Sequence, residues 1–214
     1  MPKPELLIFD LDGTLVDTRH DIANSVNYAI AELGFEKLPV EQVIKYVGNG
    51  LLKLIERTLS IEARHLVPRA TALFNDYYRE HLLDTSELYP GIAEVLNHFS
   101  DRKMAIVSNK PAAFCSSIVD GLNLQGQFFP VYGGDSFSVM KPDPKPLLTV
   151  INKLNVSAER TVMIGDSPPD ILAGRAAGCF ACAVTYGYSR KMELIESKPD
   201  RLVDKAEEII TIFE

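Results

Sequence analysis

Four short runs of apolar residues alternate with helical patterns along this chain, and they constrain its fold more than any other feature. The runs cover residues 6–10, 104–109, 161–166 and 180–185. Near-continuous apolar runs indicate strands that are buried on both faces, as in a parallel sheet with helices on either side. The sequence therefore predicts an α/β fold, a doubly wound, mainly parallel Rossmann-like sheet.

One interval between the predicted strands is too long for a simple connection. Roughly seventy residues separate the turn after the first run from Leu88, whereas a strand-to-helix connection normally takes a few. Apolar residues at helical spacing predict three helices in this interval, over 22–33, 43–59 and 66–82. We therefore expect residues 18–84 to form an inserted all-helical cap domain, and residues 1–17 and 85–214 to form the α/β core.

Polar side chains follow three of the predicted strands at the points where those strands end. The clusters are Asp10 with Asp12, Ser108 with Asn109, and Asp166 with Asp170. Taken singly, each has a structural explanation, a turn for the first and a helix cap for the others. In an open parallel sheet, however, functional groups gather beyond the carboxyl ends of the strands, so the three clusters can meet in one crevice.

The chemistry of these side chains suits a phosphate ester and a hard cation. Carboxylates with a nearby lysine favour Mg²⁺, which takes oxygen ligands. An aspartate can attack a phosphate monoester only if a metal and an ammonium offset the repulsion between the two negative groups. The sequence therefore predicts a magnesium-dependent site for a small phosphate substrate.

Four segments resemble, in order, the four motifs of the haloacid dehalogenase-like hydrolase superfamily. They are DLDGTLVDT, VSNKP, KPDPKPLL and GDSPPDILAGRAAG, and the resemblance spans nearly the whole chain. It implies a phosphoric monoester hydrolase that uses Mg²⁺ and passes through an aspartyl-phosphate intermediate. The fourth motif departs from the most frequent form at Pro168 and Pro169, which the first turn of a helix tolerates.

The resemblance implies catalytic and metal-binding roles for four carboxylates. Asp10 is expected to be the nucleophile and a metal ligand, and Asp12 to protonate the leaving group, activate the water and ligate the metal through its backbone carbonyl. Asp166 is expected to complete the metal site. Asp170 is expected to hold a metal-bound water or to orient Lys141.

Five further residues are expected to bind the phosphate. By the same resemblance, Gly13 and Thr14 form a tight turn whose N–H groups approach it. Ser108 and the amide of Asn109 donate hydrogen bonds to another phosphate oxygen. Lys141 supplies positive charge.

Three more segments, VGNG at 47–50, LYPGIAEVLNHF at 88–99 and TYGY at 185–188, are similar to bacterial phosphoglycolate phosphatases. This closer resemblance implies 2-phosphoglycolate as the preferred substrate. The backbone amides of Gly48, Asn49 and Gly50 are expected to face the substrate carboxylate, and a plain turn between helices is the structural alternative. The basic residues available nearby as charge partners are Lys45, Lys53 and Arg57.

Several other functions stay open at this point. A phosphatase for a sugar phosphate, a nucleoside monophosphate or pyrophosphate would share the motifs, as would a β-phosphoglucomutase-like mutase. A phosphonoacetaldehyde hydrolase would need a cap lysine placed for a Schiff base. The non-enzymatic alternative is a receiver-like domain that stores phosphate on an aspartate, although the Asp12 acid/base and the long cap argue against it. Asp12 also argues against a dehalogenase.

Composition restricts the partners and the compartment. The formal net charge of −7 argues against a nucleic-acid or anionic-membrane surface. No long apolar run predicts a membrane span or a signal peptide, and three cysteines favour a reducing compartment. We therefore expect a cytoplasmic monomer or homodimer. Cys179 and Cys182 are expected to be core residues that face opposite sides of a strand.

Overall fold

The computed structural model describes residues 3–214, so residues 1 and 2 of the predicted core lie outside it. The strands, in chain order, are β1 (Leu6–Phe9), β2 (Val16–Asp17), β3 (Glu87–Leu88), β4 (Lys103–Val107), β5 (Val131–Tyr132), β6 (Thr161–Gly165), β7 (Phe180–Val184) and β8 (Arg201–Val203). The helices are α1 (Arg19–Ala31), α2 (Val40–Ile44), α3 (Leu51–Thr58), α4 (Val67–His81), α5 (Ile92–His98), α6 (Ala112–Gly121), α7 (Lys145–Leu154), α8 (Pro168–Ala176), α9 (Lys191–Glu196) and α10 (Glu208–Phe213).

Six of these strands form one parallel sheet in the order β5-β4-β1-β6-β7-β8. Strand β1 lies at the centre, with Phe9 opposite Ile106 of β4 on one side and Ile164 of β6 on the other. The chain runs outward from β1 through β4 to β5 and then returns to β6. This reversal of direction beside β1 is where ligands bind in open α/β sheets. The predicted α/β fold is confirmed.

Both faces of the sheet are buried, as the continuous apolar runs require. Alternate residues of β1 point to opposite sides, so Leu7 and Phe9 pack in one core while Leu6 and Ile8 pack in another. Helices α5, α6 and α10 cover the first side, and α7 and α8 cover the second. Cys182 packs in the first core and Cys179 in the second, which confirms that the two thiols face opposite sides.

The long interval after β1 contains helices α1 to α4, bracketed by the short antiparallel pair β2 and β3. Helices α1 and α4 pack along each other. The buried carboxylate of Asp21 in α1 accepts hydrogen bonds from the backbone and hydroxyl groups of Thr85 and Ser86, at 2.6 to 3.2 Å. The two chain segments that enter and leave the helical region are thereby tied together.

One predicted helix in this region is wrong. The sequence pattern predicts a single helix over 43–59, but the structure has two, α2 and α3, with a loop between them. Gly48 and Gly50 in that loop have positive φ angles of 106° and 84°, a conformation that an α-helix does not contain and that glycine adopts easily. The apolar residues before and after the loop therefore belong to different helices.

Helix α4 matches the predicted third helix, whose apolar pattern consists of Leu66, Ala70, Leu73, Tyr77 and Leu82. In its middle the buried face is displaced by one residue, because Phe74 and Tyr78 are buried whereas Leu73 and Tyr77 are only partly so. This displacement matters for the site described below because it turns the Tyr78 hydroxyl inward. Within residues 3–214, no helix combines the length and the apolar character that crossing a membrane would require.

Candidate active site

The polar clusters after β1, β4 and β6 meet at one edge of the sheet. Asp10, Ser108 and Asp166 each directly follow the last residue of a parallel strand, and these three strands are neighbours in the sheet. The strands themselves therefore place these side chains together. The polar side chains gathered here are nearly inaccessible to solvent, which is unusual for charged groups. They are Asp10, Asp12, Thr14, Ser108, Asn109, Lys110, Lys141, Asp166 and Asp170.

Three carboxylates and one ammonium form the centre of the site. Asp10, Asp166 and Asp170 each place one oxygen within 4.8 Å of the others. The Lys141 ammonium lies 3.0 Å from Asp10 Oδ1 and 2.6 Å from Asp170 Oδ1, and it also donates a hydrogen bond to the carbonyl of Val107. The structure therefore gives Asp170 direct contact with Lys141, as one of its two expected roles requires.

The close packing of like charges perturbs these groups. Burial raises the pKa of the Asp166 carboxyl well above its usual value, and the charges of Asp170 and Asp10 raise it further. Burial also raises the pKa of Asp170, to about 6, although Lys141 opposes the shift. Burial alone would lower the pKa of the Lys141 ammonium, but the carboxylates of Asp10 and Asp170 outweigh it and keep the lysine charged.

The donor set fits a hard divalent cation. Asp10 Oδ1 and Asp170 Oδ1 are buried and accept no hydrogen bond of good geometry within residues 3–214, although both lie at ion-pair distance from Lys141. One ammonium cannot balance three buried carboxylates, and such uncompensated charge is costly. Carboxylate oxygens at this spacing are the ligands that Mg²⁺ prefers.

Two glycines make room for Asp166. Its Oδ1 accepts a hydrogen bond from the Thr14 hydroxyl at 3.2 Å, and its Oδ2 accepts one from the Tyr188 N–H at 2.7 Å. A Cβ on Gly13, where φ is +81°, would lie 2.3 Å from Oδ2, and one on Gly187 would lie 2.3 Å from the Asp166 Cβ. Gly13 and Thr14 thus support the carboxylate and are not among the described residues that line the cavity.

The Asp12 side chain belongs to a second cluster beside the first. Both of its oxygens lie 3.1 Å from the Lys110 ammonium, and Oδ1 also accepts a hydrogen bond from the Thr18 hydroxyl at 2.6 Å. The Tyr188 hydroxyl lies 3.0 Å from the Thr18 hydroxyl, and the Lys110 ammonium donates to the Tyr78 hydroxyl at 2.7 Å. None of these four partners is among the site residues predicted from the sequence, although Lys110 directly follows Ser108 and Asn109.

Asn109 braces Lys141 through its side-chain amide. Its Oδ1 accepts a hydrogen bond from the Lys141 N–H at 3.0 Å, and its Nδ2 donates to the Lys141 carbonyl at 2.9 Å. The same Nδ2 donates to the carbonyl of Gly48 at 2.9 Å, so the loop between α2 and α3 is attached to the edge of the sheet. Helix α8 begins at Pro168, and Asp170 in its first turn caps it, because Asp170 Oδ2 accepts hydrogen bonds from the Ser167 N–H at 3.0 Å and from the Ser167 hydroxyl at 2.6 Å.

A cavity of about 60 Å³ lies between this edge of the sheet and the helices α1, α3 and α4. Its polar wall includes Asp10, Asp12, Ser108, Asn109, Lys110 and Asp166. The opposite wall is largely apolar and includes Val47, Leu51, Leu54, Phe74 and Tyr78.

The structure brings only part of the predicted substrate loop to this cavity. Gly48 and Gly50 line it, whereas Asn49 is not among the described lining residues, and neither are the basic candidates Lys45, Lys53 and Arg57. Lys53 pairs instead with Glu56, and Arg57 donates to the carbonyl of Tyr46. Among residues 3–214, the lysine that lines the cavity is Lys110.

Comparison with known proteins places this site in a family. A family model described as haloacid dehalogenase-like hydrolase matches residues 7–184. The chain is 36% identical to a phosphoglycolate phosphatase of Haemophilus influenzae over 98% of both chains, and 38% identical to one of Photobacterium profundum over 97% of this chain and 95% of that one.

A solved structure agrees over the full length. The crystal structure of a predicted phosphoglycolate phosphatase from Haemophilus somnus superposes with a TM-score of 0.91 at 30% identity, and the match covers 100% of both chains. The motifs, the fold and the relatives agree. The chain therefore belongs to the haloacid dehalogenase-like hydrolase family and, with these relatives, to its phosphatases.

Proposed function

We propose that this phosphatase hydrolyses a small phosphate monoester, preferably 2-phosphoglycolate, through an aspartyl-phosphate intermediate on Asp10 with Mg²⁺ as cofactor. The observation that carries the proposal is the group of buried carboxylates around Lys141, with Asp10 both in that group and on the cavity wall. The names of the relatives support the choice of substrate.

The proposed reaction has two steps, and Asp10 takes part in both. An oxygen of Asp10 attacks phosphorus while the bond to the ester oxygen breaks, and Asp12 gives its proton to the leaving alkoxide. Asp12 then removes a proton from a water molecule that attacks the acyl phosphate, which releases phosphate and restores Asp10. Asp12 lines the cavity beside Asp10, and Thr18 and Lys110 hold its carboxylate in place.

The other site residues bind and orient in this scheme. Asp10, Asp166 and the backbone carbonyl of Asp12 would hold Mg²⁺, and Asp170 would orient Lys141, which it contacts. When bound, the cation would offset the negative charges of nucleophile and phosphate. Ser108 and the amide of Asn109 would donate to a phosphate oxygen, as would N–H groups of the turn at Gly13 and Thr14.

We also propose that residues 18–84 act as a cap over a core of residues 1–17 and 85–214. The cavity wall supports this division, because one side comes from the sheet edge and the other from helices α1, α3 and α4. A cap excludes water and restricts the substrate to small molecules. The three free cysteines, all buried, are compatible with a cytoplasmic location for the enzyme, as a monomer or homodimer.

Phosphate release across a panel of esters tests the proposal. With Mg²⁺ the enzyme is expected to turn over 2-phosphoglycolate repeatedly, with a higher kcat/KM than for sugar phosphates or nucleoside monophosphates, and chelation by EDTA is expected to stop the reaction. Asp10→Asn should lower kcat at least about 10³-fold because it removes the nucleophile. Asp120→Asn, an exposed carboxylate on α6, is the matched control. Turnover that survives EDTA or Asp10→Asn would refute the mechanism.

A further inference from the structure

Lys110 has an unusual position for a lysine. It follows β4 and is 8% exposed, and its ammonium lies between the Asp12 carboxylate on one side and the Tyr78 ring and hydroxyl on the other. Burial alone would lower the pKa of this ammonium, but Asp12 and Tyr78 raise it above its ordinary value, so Lys110 is charged. A charged lysine is rarely buried without a partner.

Lys110 and Tyr78 can both donate to a ligand in the cavity. An ammonium has three N–H donors, and in the described part of the chain three atoms accept from it, the two oxygens of Asp12, each at 3.1 Å, and the Tyr78 hydroxyl. A ligand atom that replaces one Asp12 oxygen can therefore take one of these N–H donors. The Tyr78 hydroxyl accepts from Lys110, and its own proton reaches no acceptor within residues 3–214. Both side chains line the cavity, so a ligand there can accept one hydrogen bond from each.

The aromatic side chains packed against Tyr78 are apolar. Phe74 and Phe114 line the cavity, and their ring centroids lie 5.1 Å and 5.0 Å from that of Tyr78. Hydrogen bonds to an anion are stronger among apolar neighbours than in water. Lys110 and Tyr78 are therefore suited to a small anionic group.

The distance to Asp12 limits where that anionic group can sit on a substrate. Asp12 is the proposed proton donor to the ester oxygen, and the Lys110 ammonium lies 3.1 Å from both of its oxygens. An anion bound by Lys110 therefore lies on the same side of the site as the ester oxygen. In the phosphate ester of a 2-hydroxy acid, the carboxylate carbon is two bonds from that oxygen, which places a carboxylate near it.

From this arrangement we infer that Lys110, assisted by the Tyr78 hydroxyl, binds the carboxylate of the leaving group and selects phosphate esters of short 2-hydroxy acids. The inference rests on the proposed function. The substrate specificity then comes from Lys110 in the core and Tyr78 in α4, and not from the basic residues around the loop between α2 and α3. A lysine that served only as a counter-ion for Asp12 would give no such selectivity.

Two substrates that differ only in the carboxylate separate these roles. 2-Phosphoglycolate and ethyl phosphate have leaving groups of the same chain length, and both depend on Asp12. In Lys110→Met, any loss of activity that acts through Asp12 affects both substrates equally, so it cancels in the ratio of kcat/KM for 2-phosphoglycolate to kcat/KM for ethyl phosphate. That ratio is expected to fall roughly 10- to 100-fold because a charge-assisted hydrogen bond to the carboxylate is lost. Most of the fall should come from a higher KM for 2-phosphoglycolate.

Tyr78→Phe and Lys205→Met complete the variant set. Tyr78→Phe keeps the ring and is expected to lower the same ratio about 10-fold, the lower end of the range for a hydrogen bond to a charged group. Lys205→Met changes an exposed lysine after β8 and should leave the ratio unchanged. Circular dichroism and thermal unfolding establish that each variant is folded.

Inhibition gives a readout that involves no proton transfer. 3-Phosphonopropionate is the methylene analogue of 2-phosphoglycolate, and propylphosphonate is its counterpart without the carboxylate. In the wild type the first should inhibit more strongly, and Lys110→Met should remove most of that difference.

Each failure has a distinct signature. If Lys110→Met lowers activity on both substrates by one factor, or on neither, the inference is wrong while the phosphatase proposal stands. If the wild type releases phosphate from neither substrate nor from an aryl phosphate, the proposed function itself is wrong.

Discussion

Asp166→Asn is expected to stabilise the protein in the absence of metal, the opposite of what a buried substitution usually does. Asp166 is 2% exposed, and its pKa is raised by burial and by the charges of Asp170 and Asp10. The charged form of this carboxylate is therefore unfavourable in the folded protein unless a cation balances it. An asparagine has nearly the same shape and no charge.

The distances in the cluster set the size of the effect. Two like charges 4.8 Å apart repel by about 3.5 kcal/mol at an effective dielectric constant of 20, and Asp166 has two such neighbours. The gain in stability is smaller than this because Asp166 in the wild type already lowers the repulsion by binding a proton. Asparagine has one side-chain oxygen where aspartate has two, so it can accept a hydrogen bond from only one of the two donors, the Thr14 hydroxyl and the Tyr188 N–H. The lost hydrogen bond costs about 1 kcal/mol. We expect a net gain of about 2 kcal/mol, or a Tm about 4–8 °C higher for a chain of this size.

Thermal unfolding at neutral pH, with EDTA or with excess Mg²⁺, measures the effect. The wild type should gain about 2–3 kcal/mol of stability when Mg²⁺ is near a hundred times its dissociation constant. Asp166→Asn should have the higher Tm in EDTA and gain little from Mg²⁺. Asp120→Asn, on the exposed surface, should behave as the wild type does. A lower Tm for Asp166→Asn in EDTA, together with an undiminished response to Mg²⁺, would refute the electrostatic reasoning.

Three further substitutions test other parts of the structure. Gly13→Ala should abolish phosphate release and the Mg²⁺-dependent rise in Tm, because the new Cβ would collide with Asp166. Gly34→Ala is the control: this glycine has a φ of +84° and open space around it, so the change should cost only about 1 kcal/mol of stability and leave activity intact. Asp21→Asn should destabilise the protein by about 2–4 kcal/mol, because two of the donors from residues 85 and 86 would then face an NH₂ group. Urea unfolding measures this loss, with an unchanged m-value expected, and a loss below about 0.5 kcal/mol would contradict the role of this carboxylate. Asn109→Ala should lower kcat roughly 10- to 100-fold with little change in KM, because the backbone of Lys141, which contacts Asp10, loses two hydrogen bonds; an equal rise in KM would contradict this explanation.

The strands that the sequence predicts are those buried on both faces. β1, β6 and β7 lie within three of the four apolar runs, and β4 begins one residue before the run at 104–109. The edge strands β5 and β8, two and three residues long, were not predicted, because so few residues show no periodicity. The apolar spacing continues across the loop that separates α2 from α3, so it predicts one helix there, and only the glycines indicate the turn between helices that was the alternative.

The carboxylate cluster was predictable because each member follows a strand in a recognisable motif. Lys110 and Tyr78 were not, because their importance comes from contacts between segments far apart in the chain. Tyr78 lies 32 residues from its partner Lys110, and the pattern of α4 does not reveal which of Tyr77 and Tyr78 faces the core. Gly187 presents the same difficulty, since its need for a small side chain depends on Asp166.

The central place of β1 has a consequence for how the chain is made. β1 leaves the ribosome first, but its neighbours β4 and β6 begin only at Lys103 and Thr161. At about 5–20 residues per second, the strand waits roughly 8–30 seconds for β6 to be synthesised. During that time an apolar strand edge is open to pairing with other chains, a recognised aggregation hazard. Asp166 and Asp170 follow β6 in the chain, so a nascent chain that stops before β6 has neither the complete sheet nor the complete carboxylate cluster.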